Sequence, residues 1–284
     1  MKKMIPRLAG AYFTTTAYLF PRINQEQMFR QLCKVKPMAI SSEGNKFLDT
    51  AKTKFIAVEE NKVAVHTWGN GPKKIVFLHG WMSYSYRWKI YIDSLDLTQF
   101  TVYSVDAPAH GRSEGKFLNI EKYRQAAAAV ISEIGPVETL VCHSLGSLVG
   151  AYMYLNDPKI PIQNYVIMGA PSGMDAIFVY FKEALPLGKR AFANLLHKVN
   201  TVLKIPSSEL TMQSFFEKIE KPVLVVHDRQ DGITKFEPIE RLIPKKKNIK
   251  TFFTDGQGHN LIGKDTIETI TDFIKQPNTE LVCM

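Results

Sequence analysis

The sequence predicts an α/β fold with a mostly parallel central sheet and helices on both faces. Short apolar runs alternate with segments of helical periodicity along most of the chain, and this alternation is typical of parallel strands joined by helices. The 284 residues are enough for one large domain with a full core. A hydrophobic fraction of 45% and a charged fraction of 22% are ordinary for a globular protein and argue against disordered and membrane-spanning classes.

The predicted elements follow one another in a regular order. Residues 54–58 and 63–68 are β-rich and are separated by Glu-Glu-Asn-Lys, which predicts a hairpin. Further strands are predicted at residues 75–78, 101–105, 137–142, 165–168, 223–226 and 249–253, and helices at residues 86–95, 120–134, 145–156, 236–242 and 265–274. Asn119 can cap the helix at 120–134, and Gly135 can end it.

Two regions depart from this alternation. Residues 1–50 are predicted to form an N-terminal helical extension, with one or two helices between residues 8 and 32, so that the main domain covers residues 51–284. Within that domain, residues 172–220 carry apolar and basic residues at helical spacing, broken at Pro186 and Pro206. We interpret this insertion as a cap, because it follows the carboxyl end of a strand, where such sheets bind ligands. Surface helices without a role in substrate choice are the alternative.

The charge pattern gives little support to a nucleic-acid partner. The formal charge is +9, but the basic residues are scattered, and the one tight run is Lys245-Lys246-Lys247. We expect that run to form a solvated loop between a helix and a strand. Because no recognition motif accompanies it, we predict no nucleic-acid binding. Attraction to anionic lipid or to an acidic substrate remains open.

The cysteines and the first residues bear on location. Cys33, Cys142 and Cys283 form neither an even framework nor a C-x-x-C pair, which favours a reducing compartment, the cytoplasm. The first 20 residues partly resemble a signal peptide, but Pro6 and Arg7 interrupt the apolar run and no clean cleavage site follows. We therefore expect helices that pack on the domain, with weak attachment to a membrane surface as a second interpretation.

The sequence around Ser144 predicts a nucleophile. A buried strand at 137–142 passes into a helix at 145–156 with no room for a loop, so the residue between them must adopt a strained turn that lifts its side chain clear of the sheet. Cys142 stands where the G-x-S-x-G pattern of such elbows has its first glycine. An ordinary strand–helix turn is the alternative, and Cys142 is a rival nucleophile whose place in the strand favours a core position.

Two backbone N–H groups are candidates for an oxyanion hole. The N–H of Leu145 lies at a predicted helix N-terminus, beside Ser144. His79-Gly80-Trp81 follows the strand at 75–78, and the glycine allows the chain to bend so that the N–H of Trp81 points into the same pocket. The segment from Asp106 to Ser113 is expected to form a hydrogen-bonded turn at the pocket floor.

An acid and a base follow on later strands. Asp231 lies just beyond the strand at 223–226, and His259 lies beyond the strand at 249–253 in a glycine-rich loop. The order Ser144, Asp231, His259 predicts a catalytic triad, in which the histidine takes the serine proton and the acid orients the histidine. Asp228 is the rival acid. Four other histidines fall near strand ends, at positions 79, 110, 143 and 227, but they lack metal-ligand spacing, so we predict no metal site.

These motifs together resemble those of the α/β-hydrolase superfamily over the chain from Phe55 onward. They are the H-G-x turn at His79, a D-x-P-x-H-G-x-S segment at Asp106 with Ala109 where glycine is commoner, the elbow at Ser144, the aspartate at 231 and the G-x-G-H at His259. The chain is also similar to bacterial members that carry an N-terminal helical extension and have poorly defined substrates. The resemblance implies an α/β-hydrolase fold, esterase-type chemistry and no cofactor. It assigns Ser144 as nucleophile, His259 as base, Asp231 as acid, and Trp81 with Leu145 as oxyanion donors.

The functional prediction is a serine hydrolase that cleaves a small-molecule carboxylic ester or thioester, with an apolar group, through an acyl-enzyme on Ser144. An acyltransferase and a lipid-surface lipase or lysolipase with the same triad are alternatives. A non-catalytic ligand-binding module is the alternative from another class of protein. The sequence leaves the substrate and the oligomeric state open.

Overall fold

A single eight-stranded sheet forms the centre of the protein. The computed structural model describes residues 4–36 and 38–277, so Cys283 lies outside the described residues. The strands are β1 (Lys52–Val58), β2 (Asn61–Trp68), β3 (Lys73–Leu78), β4 (Phe100–Val105), β5 (Val137–His143), β6 (Ile162–Met168), β7 (Val223–Asp228) and β8 (Ile249–Thr254). Their order across the sheet is β1-β2-β4-β3-β5-β6-β7-β8.

The sheet is antiparallel only at one edge. The strand pairs β1–β2 and β2–β4 are antiparallel, and every other neighbouring pair is parallel. The parallel strands therefore end at one common edge of the sheet, where side chains from separate parts of the chain meet. The predicted α/β class with a mostly parallel sheet is confirmed.

Helices cover both faces of the sheet. They are α1 (Met4–Leu19), α2 (Pro21–Cys33), α3 (Ser42–Leu48), α4 (Lys89–Ile92), α5 (Ile120–Ile134), α6 (Leu145–Asn156), α7 (Met174–Ala184), α8 (Lys189–Val202), α9 (Met212–Lys218), α10 (Phe236–Leu242) and α11 (Lys264–Lys275). One apolar cluster joins one face of the sheet to α5, α6, α9 and the N-terminal helices. A second cluster joins the other face to α3, α4 and α11.

Successive side chains of a strand point to opposite faces of the sheet, so a single strand can contribute to both clusters. In β3, Val76 and Leu78 belong to the first cluster, whereas Ile75 and Phe77 belong to the second. All four are fully buried, as expected for a parallel strand between two helical layers.

The N-terminal helices pack on the segment inserted after β6. Residues 172–220 contain α7, α8 and α9, and α1 and α2 contact α8. A buried bond joins them, since Asn194 Nδ2 donates to Asn24 Oδ1 at 3.0 Å. The backbone N–H of Gly188 also donates to Thr14 Oγ1 at 3.0 Å. The extension and the inserted segment are thus in direct contact.

Two predictions about local structure were wrong in part. Residues 86–95 do not form one amphipathic helix but a 3₁₀ turn at Ser85–Trp88 followed by the short α4. The backbone N–H and the hydroxyl of Ser85 both donate to Asp106 Oδ1, at 2.8 and 2.6 Å, and these distant bonds hold the turn. The lysine run at 245–247 does lie in a loop, but Lys246 is not simply solvated. Its Nζ donates to the carbonyl of Ile219 at 2.6 Å, just past the end of α9.

Candidate active site

Ser144 occupies a strained turn between β5 and α6. Its φ is +55° and its ψ is −121°, a backbone conformation that side chains other than glycine rarely adopt. The backbone N–H of Ser144 donates to the carbonyl of Met168 at 2.8 Å. Gly146 makes the tight turn feasible, because a Cβ there would collide with the carbonyl of Leu78 on the neighbouring strand. The side chain of Ser144 is only partly buried and is therefore presented at the strand ends.

The loop after β3 lies against Ser144. A Cβ on Gly80 would lie 2.7 Å from Ser144 Cβ and 3.2 Å from its Oγ, so only glycine allows this approach. Trp81 follows directly, and Leu145 opens α6 on the other side. Within the described chain, the backbone N–H groups of Trp81 and Leu145 make no hydrogen bond. Both N–H groups are therefore unpaired beside Ser144, and the N-terminal end of the α6 dipole lies at Leu145.

His259 and Asp231 are brought into direct contact. His259 Nδ1–H donates to Asp231 Oδ2 at 2.8 Å, and the N–H groups of Ile233 and Thr234 donate to Asp231 Oδ1 at 2.8 and 2.9 Å. Burial alone would raise the pKa of Asp231, but these bonds and the charge of His259 outweigh it and hold the pKa below its usual range. The carboxylate is therefore ionised at neutral pH.

Three consecutive carbonyls hold the His259 loop in place. The carbonyl of His259 accepts from His143 Nε2–H at 2.7 Å, that of Asn260 accepts from the Arg87 guanidinium at 3.1 Å, and that of Leu261 accepts from the Tyr91 hydroxyl. Because His143 directly precedes Ser144, this bond ties the loop that carries His259 to the turn at Ser144. Ser144 Oγ and His259 Nε2 make no direct hydrogen bond within the described residues.

His143 is neutral in this position. Burial, together with the positive charge of Arg87, places its pKa well below the ordinary value. Since Nε2 carries the proton that it donates to His259, Nδ1 is the bare nitrogen, buried and without a partner in the described structure. The sequence places His143 near a strand end, but its bond to the loop that carries His259 was not foreseen.

Thr234 is a site residue that the sequence analysis missed. Its Oγ1 lies 2.8 Å from Asp231 Oδ2, 3.2 Å from His259 Nδ1 and 3.0 Å from the carbonyl of Gly169. His227 supports it from below, because its Nε2–H donates to the carbonyl of Thr234 at 2.9 Å. A threonine three residues after an aspartate, in a turn, is a weak signal for such a bond.

Asp228, the rival acid, and Cys142, the rival nucleophile, both take no part in the contact between Asp231 and His259. Asp228 Oδ2 accepts from Thr254 Oγ1 at 2.7 Å and from the N–H of Gln257 at 2.8 Å, so it braces the loop that leads to His259. Cys142 is fully buried with its side chain toward α6, and burial raises the pKa of its thiol. Among the described residues, Asp228 makes no hydrogen bond to the His259 ring, and the Cys142 thiol lies in the core rather than at the strand ends.

The segment after β4 forms the expected turn. Asp106 is buried and accepts from Ser85, from the N–H of Arg112 at 2.8 Å and from His66 Nε2–H at 3.0 Å. Burial would raise the pKa of this carboxyl, but these bonds and the nearby imidazoles hold it below its ordinary value. His110 accepts from the N–H of Met82 at 3.2 Å and so supports the loop that carries Trp81.

An apolar rim surrounds these polar groups. Four large apolar side chains stand exposed on the loops that carry them, namely Trp81, Met82, Ile233 and Ile262. Each comes from a segment at the carboxyl ends of the strands. Exposed apolar side chains beside polar groups suit a small molecule with an apolar portion.

Comparison with known proteins agrees with this geometry. The model of the alpha/beta hydrolase family matches residues 75–244, which is more than half of the chain. A pimeloyl-[acyl-carrier protein] methyl ester esterase of Proteus mirabilis is 32% identical over 100 residues, covering 35% of this chain and 37% of that protein. The enzyme of the same name from Nitrosomonas europaea is 27% identical over 217 residues, covering 61% of this chain and 82% of that protein.

Solved structures show the same fold. An esterase from Exiguobacterium antarcticum superposes with a TM-score of 0.61 at 16% identity, covering 79% of this chain and all of that one. The chain belongs to the α/β-hydrolase family, as its sequence motifs indicated. The family match and the solved structures confirm the predicted superfamily and fold. Membership of this family makes the chain an enzyme of the hydrolase class.

Proposed function

We propose that this protein is a serine hydrolase that cleaves a carboxylic ester or thioester through an acyl-enzyme. Ser144 Oγ attacks the carbonyl carbon while its proton passes to His259 Nε2, and the N–H groups of Trp81 and Leu145 stabilise the oxyanion. The alcohol or thiol leaves with the proton from His259. Water then attacks the acyl-enzyme and gives a proton to His259, which returns it to Ser144 Oγ as the acid is released.

The hydrogen bond between His259 Nδ1 and the ionised Asp231 carboxylate is the observation that carries this proposal. It leaves Nε2 as the nitrogen that can accept a proton, and the carboxylate stabilises the imidazolium that results. The strained backbone of Ser144 and the two free N–H groups beside it support the roles of nucleophile and oxyanion hole.

Two observations support an ester with an apolar portion. The curated relatives from Proteus and Nitrosomonas bear the name of an esterase that acts on a methyl ester. The apolar rim formed by Trp81, Met82, Ile233 and Ile262 would contact an acyl or alcohol chain next to the scissile bond. We infer a small-molecule ester substrate on this basis.

We further infer how the chain is divided. Residues 1–50 act as an extension, residues 51–284 as the hydrolase domain, and residues 172–220 as its cap. The contact between α2 and α8 supports a joint role for the extension and the cap. Cys33 and Cys142 are both free and buried, which supports the cytoplasm as the compartment in which the enzyme works.

The proposed nucleophile can be tested by labelling with a fluorophosphonate probe. We expect the wild-type protein to be labelled, the Ser144→Ala variant to lose labelling completely, and hydrolysis of p-nitrophenyl esters to fall by about 10³-fold or more. Ser83→Ala is the matched control, since Ser83 lies in the loop two residues after Trp81 and should keep full labelling.

Labelling that persists in Ser144→Ala would refute the assignment. No labelling of either protein, combined with binding of an ester that is not turned over, would favour the non-catalytic binding module. A panel of esters of increasing acyl length sizes the acyl pocket. An added alcohol that outcompetes water would instead indicate an acyltransferase.

A further inference from the structure

Six large apolar side chains are exposed on the N-terminal helices. They are Leu8, Tyr12, Tyr18, Leu19, Phe20 and Ile23, with exposed fractions between 51% and 69%. Fourteen large apolar residues are exposed among all the described residues, so nearly half of them fall within this short stretch. Leu8, Tyr12 and Leu19 share one face of α1, given the helical repeat. An exposed apolar surface of this density marks an interaction site.

The opposite side of α1 is fixed to the body of the protein. Ala17 is fully buried, and its carbonyl accepts from Asn194 Nδ2 of α8 at 3.4 Å. Asn24 Nδ2 in turn donates to the carbonyl of Phe13 at 2.8 Å. The outer apolar face therefore belongs to a helix that is already packed. It still lacks a covering partner within the described structure.

The charged residues in the first 25 positions of the chain are all basic. Residues 1–25 contain four basic residues and no acidic one, and the whole chain carries a formal charge of +9. Arg7 and Arg22 are exposed and flank the uncharged stretch 8–21. Aromatic side chains on an exposed helical stretch that is flanked by arginines are typical of segments that lie in a lipid interface.

We propose that the outer face of α1 and the following turn dock on the surface of an anionic lipid bilayer. The helix lies parallel to the surface, its apolar side chains enter the boundary between headgroups and acyl chains, and Arg7 and Arg22 pair with lipid phosphates. Within residues 4–36 and 38–277, no helix is long and apolar enough to cross a membrane.

Charge favours lipid over a second copy of the chain as the occupant. In a symmetric dimer, the same face would meet itself and would bring Arg7 and Arg22 into one interface. The first acidic residue of the chain, Glu26, already pairs with Lys198. A bilayer containing phosphatidylglycerol supplies negative charge. The proposal does not depend on the chemistry at Ser144, and α1 carries none of the proposed catalytic residues.

Cosedimentation of the full chain with vesicles tests the proposal. We expect binding to vesicles of phosphatidylcholine mixed with phosphatidylglycerol, much weaker binding to phosphatidylcholine alone, and loss of binding at high salt. The double variant Leu19→Glu/Ile23→Glu should weaken binding at least about tenfold. Phe55→Glu is the matched control, because Phe55 is 50% exposed on the edge strand β1 and should leave binding unchanged.

Two results would overturn the proposal. One is a wild-type protein that stays in the supernatant with both kinds of vesicle. The other is a wild-type dimer in analytical ultracentrifugation that Leu19→Glu/Ile23→Glu converts to a monomer, which would assign the face to a second copy. An unchanged circular-dichroism spectrum and urea-unfolding midpoint of this double variant show that its fold is intact, and this control does not require activity at Ser144.

Discussion

Asp228 and Asp231 lie three residues apart at the end of β7, yet their carboxylates have different partners. Asp231 accepts from His259 Nδ1–H, whereas Asp228 accepts from Thr254 and Gln257. Both carboxyls have pKa values below the ordinary range, because hydrogen bonds outweigh the effect of burial. Both carboxylates are ionised, so charge does not distinguish them. They differ in which groups their oxygen atoms face, since Asp231 contacts the His259 ring and Asp228 does not.

Substitution of each aspartate separates these roles. We expect Asp231→Asn to lower kcat by about 10⁴-fold, the size of effect found when the acid of a Ser-His-Asp triad becomes an amide that holds the wrong tautomer. Asp228→Asn should mainly lower stability, because it weakens two bonds to the loop before His259. Steady-state kinetics measures kcat of both variants, and urea unfolding measures their free energies of unfolding. A larger loss of kcat in Asp228→Asn would reverse the assignment.

The sequence could predict Ser144, Asp231 and His259 as candidates because each follows a recognisable strand in the right order. Their catalytic roles stay predictions. It could not reveal Thr234 or the support that His143, Arg87 and Tyr91 give to the His259 loop, since those contacts join segments more than 100 residues apart or depend on how one turn bends. Such bonds have no local pattern in the chain.

Among the elements, those with strong end signals were predicted best. The helix at Ile120–Ile134 has the bounds expected from its capping residues, since Asn119 Oδ1 accepts from the N–H of Lys122 at 2.8 Å and Gly135 takes a φ of +81°. The prediction of one helix at residues 86–95 was wrong in part because hydrogen bonds from Ser85 to Asp106, 21 residues away, hold a 3₁₀ turn at its start. Tertiary contacts decide short elements in this way.

The contact between α2 and α8 includes a buried pair of amide side chains, and it predicts the effect of a substitution on stability. Asn194 and Asn24 are buried and bonded to each other, so Asn194→Ala leaves a buried carbonyl oxygen of Asn24 without its donor. We expect the free energy of unfolding to fall by about 1–3 kcal/mol. The matched control is Lys198→Ala on the same helix, which removes a partly exposed ion pair with Glu26 and should cost under about 1 kcal/mol.

Urea unfolding of both variants measures the two effects. Equal losses in Asn194→Ala and Lys198→Ala would show that the buried amide pair contributes no more than a surface ion pair. In that case α2 would be held on α8 chiefly by its apolar contacts.

For the whole molecule, buried neutral histidines dominate the expected response to acid. Burial lowers the pKa of His79 to about 3 and also lowers the pKa values of His110, His143 and His227. In the unfolded chain each imidazole has a pKa of about 6.5. Below that pH the unfolded state binds protons that the folded state does not, so stability is full above pH 6.5 and is lost as the pH falls.

Chemical unfolding between pH 7.5 and pH 5 measures this loss. We expect the free energy of unfolding to decrease by up to about 1.4 kcal/mol per pH unit for each such imidazole. His110→Gln removes one such imidazole, so it should reduce the slope of the free energy of unfolding against pH by the contribution of one proton. A free energy of unfolding that stays constant across this range would contradict the assignment of neutral buried histidines.

The docking of α1 and α2 on α8 has a consequence for biosynthesis. Asn24 and Asn194 are separated by 170 residues, so at a synthesis rate of about 5–20 residues per second the ribosome needs on the order of 10–30 s to supply the partner of the first helices. Throughout that interval Ala17 and Met28, both fully buried in the finished protein, face solvent on the nascent chain. The first helices to be translated therefore cannot reach their final packing until α8 has also been made.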